Sequence, residues 1–432
     1  MTRSTASHPS ARTLVHRRNR LDRLGRLLAV TAVVVLGPTL LPAAPAAAAP
    51  PRIGAGFFGM HDHDPVSWPI APVGSVRLWD SGVSWREIET TAGVFDFTRL
   101  DGQIAAAKAH GSSVLLVLGQ TPRFHSTRPT LRGAYGAGAV SMPTEASWKS
   151  YLLAVVNRYK GQGLAYQVWN EANVPSYWRG TAAQMARLTQ LASTVINRND
   201  RSATVVSPAL ATRLTGQRAW LRTFYATRVG GKRVAAYVDA VSLNLYPSPS
   251  GGPESSMTLL AASRIMLRAA GVRKPIWNTE INYGLLGGPR AKKVTADRAA
   301  GYVSRTLILN AAAGVTRLYW YAWDLQKLAN TTLSSPDGTT LTKAGTAWTT
   351  TRGWLLGARV SACSSDSRGT YTCVVRGPKG FARIYWNPFR TVQVRTVSSA
   401  RGWTSTLGIT TVIKGGKQLA VGRSPILVRS AR

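Results

Sequence analysis

Residues 164–196 read LAYQVWNEANVPSYWRGTAAQMARLTQLASTVI, and the succession of patterns within them decides the fold. Leu164 to Trp169 is a short, largely apolar run, which is how a strand buried on both faces reads. Asn170 and Glu171 follow at its end, and a polar connection leads to Thr181. Thr181 is suited to cap a helix. After it, Met185, Leu188, Ala192, Val195 and Ile196 recur at helical spacing. Strand, loop and helix make one βα unit.

The unit repeats. Candidate strands lie at Ile53–Gly59, Ser75–Trp79, Ser113–Leu118, Leu164–Trp169, Ala203–Ser207, Ala240–Leu245, Pro275–Asn278 and Arg317–Trp323, with helical patterns between them, as in Asp297 to Gly314. Eight βα units over roughly 270 residues predict a (β/α)8 barrel of the TIM type rather than an open sheet. No glycine-rich phosphate loop follows the first strand, which argues against a dinucleotide fold. Beyond Leu356, Thr, Val, Arg and Gly alternate in short runs: Thr370–Arg376, Phe381–Trp386, Thr391–Val397 and Ile426–Arg429. These predict a small antiparallel β-domain. The expected organisation is a leader over 1–49, a catalytic barrel over 52–355, and a β-sandwich-like domain over 356–432.

The leader reading rests on charge and length. Arg17, Arg18, Arg20, Arg23 and Arg26 precede an apolar stretch, Leu27 to Leu41, and a small-residue tail, Ala43 to Ala49. The stretch is too short and too interrupted for a membrane span, so it reads as a secretory signal peptide. The expected location is therefore extracellular, with no membrane span in the mature chain. Residues 1–49 hold seven Arg and one Asp, so their loss lowers the net charge from +36 to +30. A cationic surface of that size favours anionic polymers such as an acidic or wall-associated glycan, while an Arg-rich lineage would carry the same charge without such a partner. Nucleic acid is not expected, because that reading rests on charge alone and conflicts with export. The two cysteines, Cys363 and Cys373, are expected to form one local disulfide across a hairpin. No metal is expected there, since no histidine lies near.

Two of only six glutamates end near-identical phrases: Trp169-Asn170-Glu171 and Trp277-Asn278-Thr279-Glu280. Each follows a candidate strand, the fourth and the seventh, and in a (β/α)8 barrel function sits at those strand ends. A lone strand-end glutamate is more often an ion-paired structural residue. Two in matching settings at one barrel mouth are the minimum equipment for cleaving a glycosidic bond. No Gly-x-Ser-x-Gly elbow occurs, which disfavours a serine esterase. His61-Asp62-His63-Asp64 follows the first strand; alternate residues of an extended loop point to opposite sides, so sugar-hydroxyl contacts from His61 or Asp62 are preferred to a shared metal.

With these residues in view, the chain resembles the clan A retaining glycoside hydrolases, and most of all glycoside hydrolase family 39. The resemblance covers roughly residues 53–355. It includes Val76-Arg77-Leu78-Trp79-Asp80, continuing through Trp85, Gly93 and Phe95-Asp96-Phe97, and Asn244-Leu245-Tyr246-Pro247 after the sixth strand. It implies that Glu171 is the acid/base and Glu280 the nucleophile. It further implies that Asn170 bonds a sugar hydroxyl, that Arg77 sits beneath the nucleophile, and that Tyr246 contacts it. Trp320 or Trp323 would supply a platform under the sugar; apart from the resemblance, Asp324, just after the eighth strand, reads equally as a rim residue or as a helix N-cap. Where the family often has a histidine two residues before the tyrosine, this chain has Asn244.

The expectation is a secreted, monomeric glycosidase that hydrolyses a poly- or oligosaccharide by double displacement and needs no cofactor. Its two carboxyl groups should lie about 5–5.5 Å apart. The alternative is a non-catalytic glycan- or wall-binding protein on the same scaffold.

Overall fold

The computed structural model describes residues 50–64, 67–284, 294–323 and 331–431. The expected leader and Asp324 lie outside these described residues. Eight strands build the central sheet: β1 Phe58–His61, β2 Ser75–Leu78, β3 Ser113–Val117, β4 Ala165–Gln167, β5 Thr204–Val206, β6 Val241–Asn244, β7 Ile276–Ile281 and β8 Arg317–Trp320. They run parallel in the order β5-β4-β3-β2-β1-β8-β7-β6, and a two-residue strand, Leu210–Ala211, pairs with the outer side of β6. The two ends of that order meet in a parallel bridge, Val206 to Ala240. There the Ser207 N–H donates to Ala240 O at 3.0 Å and the Asp239 N–H to Val205 O at 2.7 Å. The sheet thus closes into the expected barrel.

Alternation along the strands divides the core in two. Leu115, Ala165, Val206, Ala240, Trp277 and Tyr319 point inward and form one buried cluster. Their sequence neighbours Leu116, Tyr166, Val205, Val241, Ile276 and Leu318 point outward into the larger core under the helices. Both faces are dry, which is why these strands read as apolar runs without polar alternation. The first strand begins later than its sequence suggests: Ala55–Phe57 is a 3-10 turn, and the ladder starts at Phe58. Gly59 lets β1 approach β8, for a Cβ there would lie 2.5 Å from the Tyr319 ring and 2.7 Å from Leu318 O.

The helices follow their caps. Ala182–Asn199 begins at Thr181, whose hydroxyl accepts from Gln184 N while Gln184 Oε1 accepts from Thr181 N. Its buried face, Met185, Leu188, Ala192 and Ile196, packs on the sheet, and each larger side chain contributes about 1.5–3 kcal/mol by leaving water. Ala296–Ala312 is capped by Thr295, whose hydroxyl accepts from Arg298 N. No helix among the described residues is long and apolar enough to cross a membrane.

The C-terminal region is antiparallel. Tyr371–Gly377, Gly380–Trp386, Ile426–Ser430 and Ala400–Ser405 pair in that order within one sheet. A second pair, Val392–Arg395 with Gln418–Val421, covers its face through Val392, Val394 and Leu419 packed against Tyr385, Ile426 and Val428. Ala400–Ser405 and Gln418–Val421 were not among the expected strands. Cys363 and Cys373 form a disulfide beside the Ser364–Ser365 pairing, across the hairpin their spacing suggested. The barrel and this region share one compact unit. Glu254, in the first turn of helix Pro253–Ala269, accepts from Arg305 Nη1 at 2.8 Å and from Trp386 Nε1 at 2.9 Å, tying the two together.

Candidate active site

At the C-terminal mouth the inward positions turn polar, and one arginine organises them. Arg77, in β2, is fully buried. Its Nε donates to Gln167 Oε1 at 2.7 Å, Nη1 to His61 Nε2 at 2.8 Å and to Glu280 Oε2 at 2.9 Å, and Nη2 to Asn170 Oδ1 at 2.7 Å. Guanidinium only donates, so His61 Nε2 must accept and the ring is neutral, with its proton on Nδ1. Burial first, then the charges of Arg77 and His63, push the His61 pKa well below its ordinary value, in agreement.

Glu280 reaches the mouth because β7 is irregular. Asn278 faces outward, where Nδ2 meets Asn310, and Ile281 is outward again in the larger core. The β6 register passes from Leu243–Asn278 to Asn244–Glu280, which leaves Thr279 as the extra residue. This bulge turns both Thr279 and Glu280 inward, where a regular strand would present one. Thr279 Oγ1 contacts Ser242 Oγ and donates to Asn244 Oδ1 at 2.9 Å, and this holds the Asn244 amide with its nitrogen toward the carboxyls. Asn244 Nδ2 lies 3.2 Å from Glu171 Oε1 and 3.5 Å from Glu280 Oε2. Tyr246 O–H donates to Glu280 Oε1 at 2.9 Å.

Glu171 stands in the left-handed region, at φ 44°. Asp80 and Gln120, just past β2 and β3, do the same at 59° and 61°. A non-glycine residue there costs about 1–3 kcal/mol, and three such residues at one mouth mark a functional site.

Burial raises both carboxyls above the ordinary range, Glu280 to about 7. On Glu280 the Arg77 charge opposes burial, while Glu171 and Asp80 reinforce it. The pair titrates together, and bonding partners decide which member ionises first. Among the described residues, Glu280 receives a guanidinium and a phenol besides the Asn244 amide, whereas Glu171 receives that amide N–H alone. That favours an anionic Glu280 beside a protonated Glu171.

The structure brings together Arg77, Asn170, Glu171, Tyr246 and Glu280. Three expectations need correction. His61 is wholly buried between Arg77 and the Tyr321 ring, so it supports Arg77 and offers nothing to a sugar. Trp320 and Trp323 are 0% and 2% exposed and sit in the outer core, so neither is a platform. For Trp320 the cause is strand parity: Tyr319 faces the barrel interior, Trp320 faces out, and Tyr321 turns back to the mouth, where its O–H donates to Asp80 Oδ2 at 3.2 Å; Trp323 lies past the end of β8, where that alternation no longer applies. Counting by twos from Trp277 and Tyr319 would have found Tyr321. Asn244 and Asp80 lay within quoted motifs but were given no role. Tyr135, which also bonds Asp80, comes from the hairpin Arg132–Gly133 with Gly136–Ala137, and no sequence pattern announced it.

Residues 144–348, which contain both glutamates, match the family model described as glycosyl hydrolase catalytic core. Solved structures share the architecture. A family 39 glycoside hydrolase from the gut symbiont Bacteroides cellulosilyticus superposes with a TM-score of 0.65 at 15% identity, over 88% of this chain and 83% of that one. A family 39 β-xylosidase from Caulobacter crescentus gives 0.61 at 14%, over 88% and 97%. A family 30 endoxylanase from Clostridium papyrosolvens gives 0.59 at 14%, over 89% and 98%. No curated protein matches the sequence. Fold and matched segment define a glycoside hydrolase. Its structural neighbours are clan A enzymes, family 39 among them.

Proposed function

We propose that this protein is an exported retaining glycosidase working by double displacement, with Glu280 as nucleophile and Glu171 as acid/base. The observation that carries the reading is the single amide nitrogen of Asn244 between the two carboxyls. Laid end to end, its two contacts keep the nearest carboxyl oxygens under about 7 Å apart, and any bend at the nitrogen shortens that towards the retaining spacing of about 5–5.5 Å.

Glu171, protonated, donates to the leaving oxygen while Glu280 attacks the anomeric carbon. Arg77 and Tyr246 hold the attacking carboxylate ionised and oriented. After the aglycone leaves, the Glu280 charge is spent in the ester. Glu171, now ionised, takes a proton from a water whose oxygen attacks the anomeric carbon; the ester bond breaks, Glu280 returns as a carboxylate, and the sugar is released. Tyr246 stays a donor throughout, because burial and the Glu280 charge hold its phenol well above the ordinary range.

Proton NMR of aryl glycoside hydrolysis should show the first-formed sugar with its anomeric configuration retained. Glu280→Gln should abolish turnover. Inversion of configuration, or undiminished turnover by that variant, would sink the proposal. Turnover absent from the unmodified protein, together with tight binding of an anionic glycan, would establish the non-catalytic alternative.

A further inference from the structure

A third carboxylate faces the same mouth, and the double displacement does not use it. Asp80 follows β2 by two residues, and its backbone is held at φ 59°. Its Oδ1 accepts from Tyr135 O–H and its Oδ2 from Tyr321 O–H at 3.2 Å. The Tyr135 ring stands edge-on to Trp79 at 5.4 Å and 5.9 Å from the Tyr177 ring, so aromatic walls flank the carboxylate. Its charge acts on both Glu171 and Glu280.

A carboxylate offers about four lone-pair directions. The two phenols fill one on each oxygen, which leaves one on each for further donors. A pair of neighbouring sugar hydroxyls supplies two donors with that spacing. The buried cation at the centre of the mouth, by contrast, is already committed. Arg77 has four partners within the protein, His61 is neutral, and Arg213, which reaches Glu171 through its charge, donates to Pro247 O. A sugar carboxylate entering here would be a fourth acid beside Asp80, Glu171 and Glu280.

Resting on the glycosidase reading, we propose that Asp80 is a specificity residue. It accepts hydrogen bonds from two hydroxyls of an uncharged glycosyl unit at the cleaved position, and it excludes a glycosyl unit that carries a carboxylate. The cationic exterior then attracts the polymer without setting which unit is cleaved.

The test measures kcat/KM of the full chain for aryl β-xyloside, β-glucoside and β-glucuronide, for the unmodified protein, Asp80→Asn and Asp80→Glu. The unmodified protein should prefer a neutral glycoside. Asp80→Asn, close in shape but uncharged, should lower the rate on that glycoside and shrink its advantage over the glucuronide by at least about tenfold, since a site that bonds a hydroxyl discriminates strongly through it. Asp80→Glu keeps the charge and should keep the glucuronide excluded. Preference for the glucuronide in the unmodified protein, or equal losses on all three glycosides in Asp80→Asn, would overturn the proposal. A merely structural aspartate predicts the equal losses. Hydrolysis of no glycoside by any form would instead strike the glycosidase reading itself.

Discussion

Arg77 Nη1 lies 2.9 Å from Glu280 Oε2, and the same guanidinium reaches Asn170, the residue before Glu171. One buried cation from β2 therefore connects the two strand ends that carry Glu171 and Glu280. Arg77→Met should remove turnover and lower stability by about 3–5 kcal/mol, because it leaves Glu280 poorly solvated without its counter-charge. Arg77→Lys cannot reproduce the planar fork and should cost at least about a hundredfold in kcat/KM. Chemical denaturation and steady-state kinetics read the two effects. Near-normal activity in Arg77→Lys would contradict the arrangement.

The pH profile should be bell-shaped and displaced upward from an ordinary carboxylate pair. Activity falls on the acid side as Glu280, raised by burial to about 7, takes up a proton, and on the alkaline side as Glu171 loses one. Tyr246 donates to ionised Glu280 and so lowers its pKa. Tyr246→Phe should move the acid limb to higher pH and cut kcat/KM by about tenfold to a hundredfold, the value of one hydrogen bond to a charged group. Profiles of kcat/KM against pH decide this, and an unmoved acid limb would count against it.

Stability should carry the mark of Glu171. Its pKa is raised in the folded state, chiefly by burial, so folding holds the proton more tightly than the unfolded chain does. Its contribution is fully present below the unfolded value and is lost as pH rises through the folded one. Glu171→Gln removes that loss and should raise Tm at pH 8 while leaving it unchanged at pH 4. Calorimetry at the two pH values tests it; a lower Tm for the variant at pH 8 would refute the assignment.

Glu254 pairs with Arg305 of a neighbouring barrel helix and also accepts from Trp386 Nε1 of the C-terminal sheet, which holds the sheet to the barrel. The Arg305 side chain is 3% exposed and Glu254 19%. Glu254→Ala strands Arg305 and also removes the acceptor of Trp386 Nε1, at an expected cost of about 3–5 kcal/mol. Below the melting temperature kcat should be unaffected, since the pair lies away from the mouth. Parallel melting and kinetics separate the effects.

Strand number, order of elements and the paired glutamates at the strand ends were legible in the sequence because each is a local signal. An apolar run ended by Asn-Glu is visible within a few residues, and eight such runs count out a barrel. Trp320, which the family resemblance offered as a platform, is turned to the outer core by strand parity, and Trp323 lies past the end of β8. In a strand, adjacent side chains lie on opposite faces, so the aromatic at the mouth is Tyr321. Asn244 was visible but received no role. A short amide earns one only when two carboxyls from different strands meet across it.

By itself, the sequence determined the barrel class and the identities of Glu171 and Glu280, since strand period and helix caps are written within single elements. Tertiary structure decided the rest. The β7 bulge aims Glu280, Arg77 joins β1, β2, β4 and β7, and Asp80 gathers Tyr135 and Tyr321 from distant loops. These depend on which strands close the barrel beside one another. Their charges matter only once burial has removed the water that would otherwise screen them.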